Sequence, residues 1–394
     1  MNFNEVKNEV NKNIDTFINI RRKIHRNPEL SMKEYETTDF IIETLREFGI
    51  EEVEKINSTG VVAIIRGKSS KCIAIRADID AIPIDENNSL EYKSSNAGVM
   101  HACGHDVHTT SLLGCAYILN KYKDDLNGTV KLIFQPAEEI GAGAKYMIEN
   151  GALSKDSIPQ AIFGLHCWPN IVAGKIYHRH GKMGTCSDTF DIKIKGKSGH
   201  AAHPENAVDP IIILGNIICG IQNIISRELS PLEQGIITIS SVHGGEAYNI
   251  IPDEVLVKGA IRALSEETRE FLHKRLKEIT ENVCKTFGGT AEVIINKGTP
   301  VSNNNETISK IIENSIIKNF GEENYIYNPF PSMGSEDFAY YGEIIPAAMY
   351  RLGTGFINQK NASLHSSGLV ISEDAISTGI LSMVSVCDDL LNNI

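Results

Sequence analysis

The chain has 394 residues, enough for two domains of ordinary size, and its 42% hydrophobic and 22% charged residues are typical of a soluble globular protein. The formal net charge of −12 argues against a nucleic-acid partner, because phosphate binding requires clustered Lys and Arg. Eight scattered cysteines, a polar N-terminal segment and the lack of a long apolar stretch predict free thiols, no membrane partner and a cytoplasmic location.

Helical and strand patterns alternate in the first part of the chain. Apolar residues at helical spacing predict helices over 5–26 and 34–48, and Gly49 ends the second. Short apolar runs predict buried strands at 61–65, 72–76, 130–134 and 161–165. Further helical patterns follow at 107–121 and 141–150. This alternation predicts an α/β domain with a mixed, mostly parallel sheet.

A different order of elements begins near Gly184. Residues 188–195 alternate in polarity, which predicts a strand with one buried face. Further elements are predicted as helices at 207–228 and 266–287 and strands at 235–243, 254–263 and 290–296. The resulting β-α-β-β-α-β order is that of a ferredoxin-like unit. We therefore expect a catalytic domain formed by 1–184 and 298–394, with an inserted α+β lid and dimerisation domain at 185–297.

Side chains that can bind metals are concentrated between residues 100 and 110. Three histidines, one cysteine and one aspartate fall within residues 101–108. Imidazole and thiolate are preferred ligands of zinc and its first-row neighbours. Gly104 lets the backbone turn sharply between Cys103 and His105, so that both can face one ion. Taken alone, this pair also fits a buried cysteine beside a surface histidine.

Other segments supply candidate residues for the same site. The strand at 130–134 leads to Glu138 and Glu139, of which one can bind metal while the other takes a proton from water. The strand at 161–165 leads to His166. Asp78 and Asp80 lie two apart on a strand and face one side, as supports of a metal-binding histidine would. Taken singly, each also fits a structural role, such as an acidic helix start.

Together and in this order, the segments resemble the aminoacylase/carboxypeptidase-type metal-dependent amidohydrolases. The chain is most similar to the branch that holds hippurate hydrolases, indole-3-acetyl-amino-acid hydrolases and N-acetyldiaminopimelate deacetylases. The resemblance spans nearly the whole chain and is carried by segments 26–30, 76–83, 100–108, 134–139, 164–166, 199–204, 249–253 and 334–338 and by His365. One departure is 140–143, where relatives often carry a Gly-Pro-Gly-Gly-type run.

The resemblance implies a role for each matching residue. It implies two divalent ions per subunit (zinc, manganese, cobalt or nickel) with Cys103 shared between them. The implied ligands are Cys103, His105, Glu139, His166 and His365. Glu138 matches the general base, and Asp80, with Asp78 beside it, matches the acidic residue that supports the centre. The remaining matches are His200 for stabilising the oxyanion, often from a neighbouring subunit, and Asn249 and Arg262 for binding the substrate carboxylate. His203 is an alternative to His200.

The implied reaction is hydrolysis of the amide bond of an N-acyl amino acid (N-acetyl, N-benzoyl or similar) to a carboxylic acid and a free amino acid. The expected assembly is a homodimer. Three alternatives stay open. They are a metallo-dipeptidase or carboxypeptidase of the same family acting on short peptides, a hydrolase that uses Cys103 with His105 or His101, and a metal- or ligand-binding protein without activity. The intact pair of Glu138 and Glu139 argues against the last.

Overall fold

The chain forms two compact units. The computed structural model describes all residues, Met1–Ile394. Unit 1 contains Met1–Gly181, Asn303–Phe330 and Asp337–Ile394, and unit 2 contains Lys182–Ser302 and Pro331–Glu336. The sequence predicted the inserted segment at 185–297. The structure extends unit 2 by a few residues at each end and adds the short segment 331–336, which the sequence had assigned to the catalytic domain.

Ten α-helices and sixteen strands make up these units. The helices are α1 (Phe3–Lys12), α2 (Ile14–Arg26), α3 (Tyr35–Glu47), α4 (His105–Lys121), α5 (Gly143–Glu149), α6 (Pro210–Asn223), α7 (Glu266–Thr286), α8 (Glu306–Phe320), α9 (Ala339–Gly342) and α10 (Asp374–Asn393). The strands are β1 (Val53–Lys55), β2 (Val61–Ile65), β3 (Cys72–Asp78), β4 (Thr129–Gln135), β5 (Ile162–Val172), β6 (Ile176–His178), β7 (Gly181–Gly184), β8 (Ser187–Lys195), β9 (Gly199–His200), β10 (Gly235–His243), β11 (Ile250–Ile251), β12 (Glu254–Ala263), β13 (Thr290–Thr299), β14 (Ser302–Asn304), β15 (Tyr325–Tyr327) and β16 (Ala347–Gly355). The single helix expected over 5–26 is two helices, because the Asn13 side chain ends α1 by bonding the Glu9 carbonyl.

An eight-stranded mixed sheet lies at the centre of unit 1. Its strand order is β1-β2-β4-β3-β5-β16-β6-β15, and the inner strands β4, β3, β5 and β16 run parallel. Every residue of β3, β4 and β16 is buried, as expected for parallel strands covered on both faces. The predicted mixed, mostly parallel sheet is confirmed. Strand β16 was not predicted, because Arg351 and two glycines interrupt its apolar run.

Helices cover both faces of this sheet. One face packs mainly against α2, α4 and α10, and the other against α5 and α9. Helix α4 is the most enclosed, since every residue from its start at His105 to Ala116 is buried. Polar side chains at the start of α4 must therefore find partners inside the protein.

Unit 2 is a four-stranded antiparallel sheet with two helices. The strand order is β10-β12-β8-β13, and the elements follow the chain as β8, α6, β10, β12, α7 and β13. Along β8, every second residue is buried, and α6 and α7 pack against that side. Ser265 caps α7, since its hydroxyl accepts a hydrogen bond from the Thr268 N–H. A lid function for unit 2 stays a prediction.

The helical stretch Pro210–Glu228 is long and apolar enough, by length and composition alone, to cross a membrane. It covers α6 and a π-helical turn at Ile224–Glu228. Ile213, Ile217 and Ile221 on one side of it pack into the core of unit 2. The fold therefore accounts for the apolar residues on that side of the stretch, as in a surface helix with one face on a domain core.

A buried ion-pair network stabilises unit 2. The Asp188 carboxylate accepts hydrogen bonds from Arg269 Nε (2.7 Å), from His273 Nε2 (2.7 Å) and from the Gly298 N–H (2.9 Å). Burial raises the pKa of Asp188, but these partners outweigh burial and hold the pKa far below its usual range. Since this acid is fully buried, the network depends on its charge.

We predict that Asp188→Asn lowers the free energy of unfolding by about 3 kcal/mol, because it leaves the Arg269 charge buried without its partner. Asp191→Asn is the matched control on the same strand, since its ion pair with Lys258 is largely exposed, and we expect less than about 0.5 kcal/mol. Urea unfolding measures both. Because the pKa of Asp188 is lower in the folded than in the unfolded chain, its ionised carboxylate stabilises the fold above about pH 4, and this stabilisation is lost as the pH falls. The difference between wild type and Asp188→Asn should therefore shrink on acidification. Equal effects of the two variants would contradict the assignment.

Candidate metal centre and active site

The parallel strands β4 and β5, which lie on either side of β3, bring two of the predicted ligands to the site in unit 1. Strand β5 carries His166 within its length. After β4 the chain leaves the sheet at Pro136, which cannot continue a ladder, and presents Glu138 and Glu139. Sites of α/β enzymes commonly form where the chain leaves the carboxyl ends of parallel strands.

Gly104 allows Cys103 and His105 to join the same site. It precedes α4 with a φ of +88°, which favours glycine. A Cβ at this position would lie 2.9 Å from the Cβ of Cys167, so space as well as backbone conformation requires glycine. The sharp turn directs the side chains on either side of it toward His166.

Five side chains form two overlapping groups that suit a pair of divalent ions. One group is Cys103, His105 and His166, and the other is Cys103, Glu139 and His365; within each, the ligand atoms lie within 4.8 Å of one another. The Cys103 Sγ is 3.5 Å from His166 Nε2, and His365 Nε2 is 3.3 Å from Glu139 Oε1. The structure therefore brings together all five predicted ligands, with Cys103 common to both groups.

Hydrogen bonds fix which nitrogen of two histidines faces these groups. His105 Nδ1 bonds the Asp80 carboxylate at 3.2 Å, and His166 Nδ1 donates to the Cys167 carbonyl at 2.8 Å. The buried Nε2 of His105 has no hydrogen-bond partner, which is costly in the protein alone. Metal-binding histidines are commonly held through the other ring nitrogen in this way. The residues therefore fit a divalent metal.

The carboxylates around the two ligand groups stabilise positive charge there. Burial lowers the pKa of His105, but Asp78, Asp80 and Glu139 outweigh burial and raise the pKa to about 10. Burial raises the pKa of Glu139, yet a hydrogen bond from His365 and the charge of His105 bring it below its usual value. A divalent cation would satisfy the carboxylates that otherwise hold protons on the histidines.

Asp80 links three parts of the site. Its Oδ2 accepts hydrogen bonds from the Ser31 hydroxyl at 2.7 Å and from the Glu139 N–H at 3.1 Å, while Oδ1 contacts His105. It is nearly fully buried, so these bonds are little exposed to competing water. Asp80 thus orients two ligands without belonging to either ligand group.

Asp78 acts together with His108, to which the sequence assigned no role. Asp78 accepts hydrogen bonds from Arg76 Nη1 (2.8 Å) and from His108 Nδ1, and it lies 3.6 Å from His105 Nε2. His108 Nε2 accepts the Cys167 N–H at 2.7 Å. Both ring nitrogens of His108 are therefore used by the protein, and we assign it to positioning Asp78 rather than to binding metal.

Glu34 was missed because it lies outside every motif. It is fully buried, and its Oε1 accepts the Ala137 N–H at 2.8 Å. Ala137 has a φ of +56°, unusual for a residue with a side chain, so Glu34 stabilises the turn that presents Glu138. Burial raises the pKa of Glu34 to about 7.

Asp106, within the 101–108 segment, belongs to a separate buried network. Its Oδ2 accepts hydrogen bonds from Arg21 Nε at 2.7 Å and from His25 Nδ1 at 2.8 Å, and His25 Nε2 lies 3.0 Å from Glu86. These bonds attach the start of α4 to α2. His101 is also buried and lies outside both ligand groups.

Unit 2 carries the three remaining predicted residues. His200 is exposed and pairs with Ile250, and its Nδ1 accepts the Ala202 N–H at 3.0 Å, so its proton lies on Nε2. The Asn249 carbonyl bonds the adjacent Ala201 N–H. Arg262 is near the far end of β12, where its Nη1 contacts the Ser335 hydroxyl at 3.3 Å. The structure thus brings Asn249 beside His200 but not Arg262, since β12 alone covers about 26 Å between 254 and 262.

The centre in unit 1 is that of a metal-dependent hydrolase. The model of peptidase family M20/M25/M40 matches residues 74–389, and the chain belongs to this family. It is 41% identical to N-acetyl-L-cysteine deacetylase of Bacillus subtilis strain 168, over 91% of this chain and 84% of the relative. It is 39% identical to thermostable carboxypeptidase 2 of Saccharolobus solfataricus, over 96% of both.

A solved structure has the same fold. The YXEP protein of Bacillus subtilis, a dinuclear metal binding peptidase of the M20 family, matches with a TM-score of 0.85 and 34% identity, over 97% of this chain and 99% of that one. The family predicted from the motifs is therefore confirmed, and divalent-metal binding is supported by both the family and the ligand groups.

We predict that Asp80→Ala weakens divalent-metal binding by about 10- to 100-fold, because His105 and Glu139 lose the carboxylate that orients them. Competition against a chromophoric chelator measures the affinity. Asp124→Ala, at an exposed acid of the same unit, is the matched control and should leave affinity unchanged. Wild-type affinity in Asp80→Ala would refute the orienting role.

Proposed function

We propose that the chain is a divalent-metal-dependent deacylase that hydrolyses N-acyl amino acids to a carboxylic acid and a free amino acid. The observation that carries this is the pair Glu138 and Glu139, of which Glu139 joins a ligand group that contains Cys103 while Glu138 lies beside it. Two divalent ions (zinc, manganese, cobalt or nickel) at the five ligands would polarise the amide carbonyl and lower the pKa of the attacking water. The N-acetyl-L-cysteine deacetylase relative supports an N-acyl substrate.

The residues around the centre supply the proton transfers and the binding. Glu138, whose carboxylate lies within 4.8 Å of the ligand atoms of His105 and Glu139, takes the proton of the attacking water and returns it to the leaving nitrogen. His200 donates from Nε2 to the developing oxyanion. Asn249 and Arg262 bind the substrate carboxylate, for which a guanidinium is well suited.

A cysteine hydrolase is disfavoured by the environment of Cys103. Burial and the charges of Glu139 and Glu138 raise the pKa of this thiol well above its usual value, whereas nucleophilic cysteines have a lowered pKa. Burial also keeps the pKa of His166, whose Nε2 lies 3.5 Å from the Cys103 Sγ, well below its usual value. The same sulfur suits a metal, which would deprotonate it.

A peptidase activity within the same family is the second candidate, because thermostable carboxypeptidase 2 is almost as similar as the deacetylase. The two candidates differ only in the group on the amide carbonyl. Metal-stripped protein, reloaded separately with zinc, manganese, cobalt and nickel, should be assayed on N-acetyl, N-benzoyl and indole-acetyl amino acids and on dipeptides. If the metal-dependent rate of amino-acid release is higher with N-acyl amino acids than with dipeptides, the result supports a deacylase. The reverse order of rates supports a peptidase.

We predict that Glu138→Gln lowers kcat by at least about 100-fold, because the base is lost while its shape is kept. Metal content, measured by inductively coupled plasma mass spectrometry, should stay at the wild-type value. Glu149→Gln, at an exposed acid on α5, is the control and should match wild type in both measurements. Substantial turnover by Glu138→Gln would remove it as the base.

Separation of the unit 2 residues favours a homodimer. His200 and Asn249 lie together on elements that precede β12, while Arg262 lies near the far end of β12, about 26 Å from Glu254 by strand rise. This length is far greater than that of an N-acetyl amino acid. One substrate can therefore contact all three only if they come from two subunits. We infer that His200 and Asn249 serve the site of one subunit and Arg262 serves the site of the other.

Helix α6 offers a surface for this dimer. Ile211, Ile212 and Ile218 are 47%, 57% and 37% exposed on the side of α6 that faces away from the core. An exposed apolar patch on a surface helix is characteristic of protein–protein contacts. The edge strand β10 adds unpaired backbone groups that a second copy can bond.

We predict that Ile212→Asp converts the dimer to a monomer and lowers kcat/KM at least about 10-fold, because the charge would be buried in the interface and each site would lose the residues that a second subunit supplies. Analytical ultracentrifugation measures the mass. Leu232→Asp, at a 92% exposed loop residue, is the control and should stay dimeric. A wild-type protein that is monomeric yet fully active would contradict the inferred dimer.

The cysteines support a reducing location. All eight are free thiols, and seven are buried. Free cysteines are usual where glutathione and thioredoxin keep thiols reduced. We therefore propose a cytoplasmic enzyme with small-molecule substrates, in keeping with its negative net charge.

A further inference from the structure

A cluster of hydrogen-bond donors lies next to the metal ligand His166 and has no role in the function proposed above. We call it the Arg351 cluster, and it consists of Trp168, Tyr177, Arg179, Asn328 and Arg351. All five residues belong to unit 1. They come from β5, β6 and β16 and from the chain that follows β6 and β15.

Strand register sets Arg351 beside the centre. On β16, Arg351 is the partner of His166 on β5 and of Tyr177 on β6. Partners in register project from the same face of a sheet. Trp168 lies two residues beyond His166 on the same strand and therefore also faces this side. Its ring is 6.4 Å from the His166 ring, and the Arg351 guanidinium carbon lies 3.6 Å over it.

The guanidinium of Arg351 is buried, and no carboxylate forms an ion pair with it. It is 7% exposed, and its contacts are the rings of Trp168 and Tyr177. Burial and, to a smaller extent, the like charge of Arg179 lower the pKa of Arg351 to about 10. A buried cation normally has an anionic partner, because leaving it unpaired is costly. Stacking on the indole leaves the edge of the guanidinium free to donate.

Two other members of the cluster also have donors without acceptors. Nε and Nη1 of Arg179 and Nδ2 of Asn328 are buried and make no hydrogen bond. Asn328 is 1% exposed, and its Oδ1 accepts from the Tyr177 hydroxyl, which fixes the amide so that Nδ2 is the free donor. Tyr177 connects these groups, since its ring lies 5.9 Å from the Arg351 guanidinium carbon and its hydroxyl bonds Asn328, and the charge of Arg179 acts on Arg351. Two cations and an amide N–H without an acceptor in one region suit an anion.

We propose that Arg351, Arg179 and Asn328 bind a second carboxylate of the substrate, so that the preferred substrates are N-acyl amino acids with two carboxylates. This inference rests on the proposed deacylase function. The second carboxylate is either on the side chain of the amino acid, as in N-acetyl-glutamate, or at the end of the acyl group, as in an N-succinyl amino acid. The two sources share one chemistry, and pairs of substrates distinguish them.

Each dicarboxylate has a monocarboxylate counterpart of similar shape, in which an uncharged group replaces only the second carboxylate. N-acetyl-L-glutamate is compared with N-acetyl-L-glutamine, and N-succinyl-L-leucine with N-butanoyl-L-leucine, by kcat/KM of the metal-loaded enzyme. We expect the wild type to prefer at least one dicarboxylate by about 10-fold or more, as hydrogen bonds to a charged group allow. In Arg351→Gln this ratio should fall toward 1, and in Asn328→Asp it should fall below 1, because the new carboxylate repels the ligand. Arg66→Gln, at an exposed arginine, should keep the wild-type ratio.

A measurement of binding tests this inference independently of the proposed function. Isothermal titration of the same four compounds into metal-loaded Glu138→Gln protein, with and without Arg351→Gln, measures affinity without turnover. Tighter binding of a dicarboxylate that depends on Arg351 supports the subsite, whether or not the wild type hydrolyses any substrate. Absence of hydrolysis of every substrate by the metal-loaded wild type would refute the deacylase. Hydrolysis with equal affinity and equal kcat/KM for the dicarboxylate and the monocarboxylate of each pair would overturn the subsite and leave the deacylase intact.

Discussion

The site in unit 1 depends above all on the hydrogen bonds of one buried carboxylate, that of Asp80. It contacts the Nδ1 of His105 at the start of α4, the backbone N–H of Glu139 after β4 and the hydroxyl of Ser31 near the N terminus. These three segments are far apart in the chain. Because the carboxylate is shielded from water, its bonds set the directions of two ligands before any ion binds.

The same arrangement concentrates negative charge that the protein balances only in part. Arg76 and His108 satisfy Asp78, whereas the carboxylates around His105 raise its pKa to about 10. The fold thus stabilises positive charge at the ligand groups. Stability and function meet here, since bound cations would relieve the repulsion that assembling these carboxylates creates.

The resemblance assigned Cys103, His105 and Glu139 as ligands because they lie in compact motifs of metal-capable side chains, and the structure brings these three residues together. The sequence could not predict interactions that arise only when distant segments meet, such as Glu34 with the Ala137 turn or Arg351 with Trp168. Strand β16 was missed for a related reason. An arginine within an apolar run argues against a buried strand unless its stacking partner is known. Alternation and length were sufficient for the mixed sheet of unit 1.

The most direct test of the account is the number and position of bound ions. Crystals of manganese- or zinc-loaded protein, measured at the absorption edge of the metal, locate each ion by anomalous scattering. The account predicts two peaks per chain, one among Cys103, His105 and His166 and one among Cys103, Glu139 and His365. A single peak, or ions bound away from Cys103, would contradict a two-metal centre with a shared cysteine.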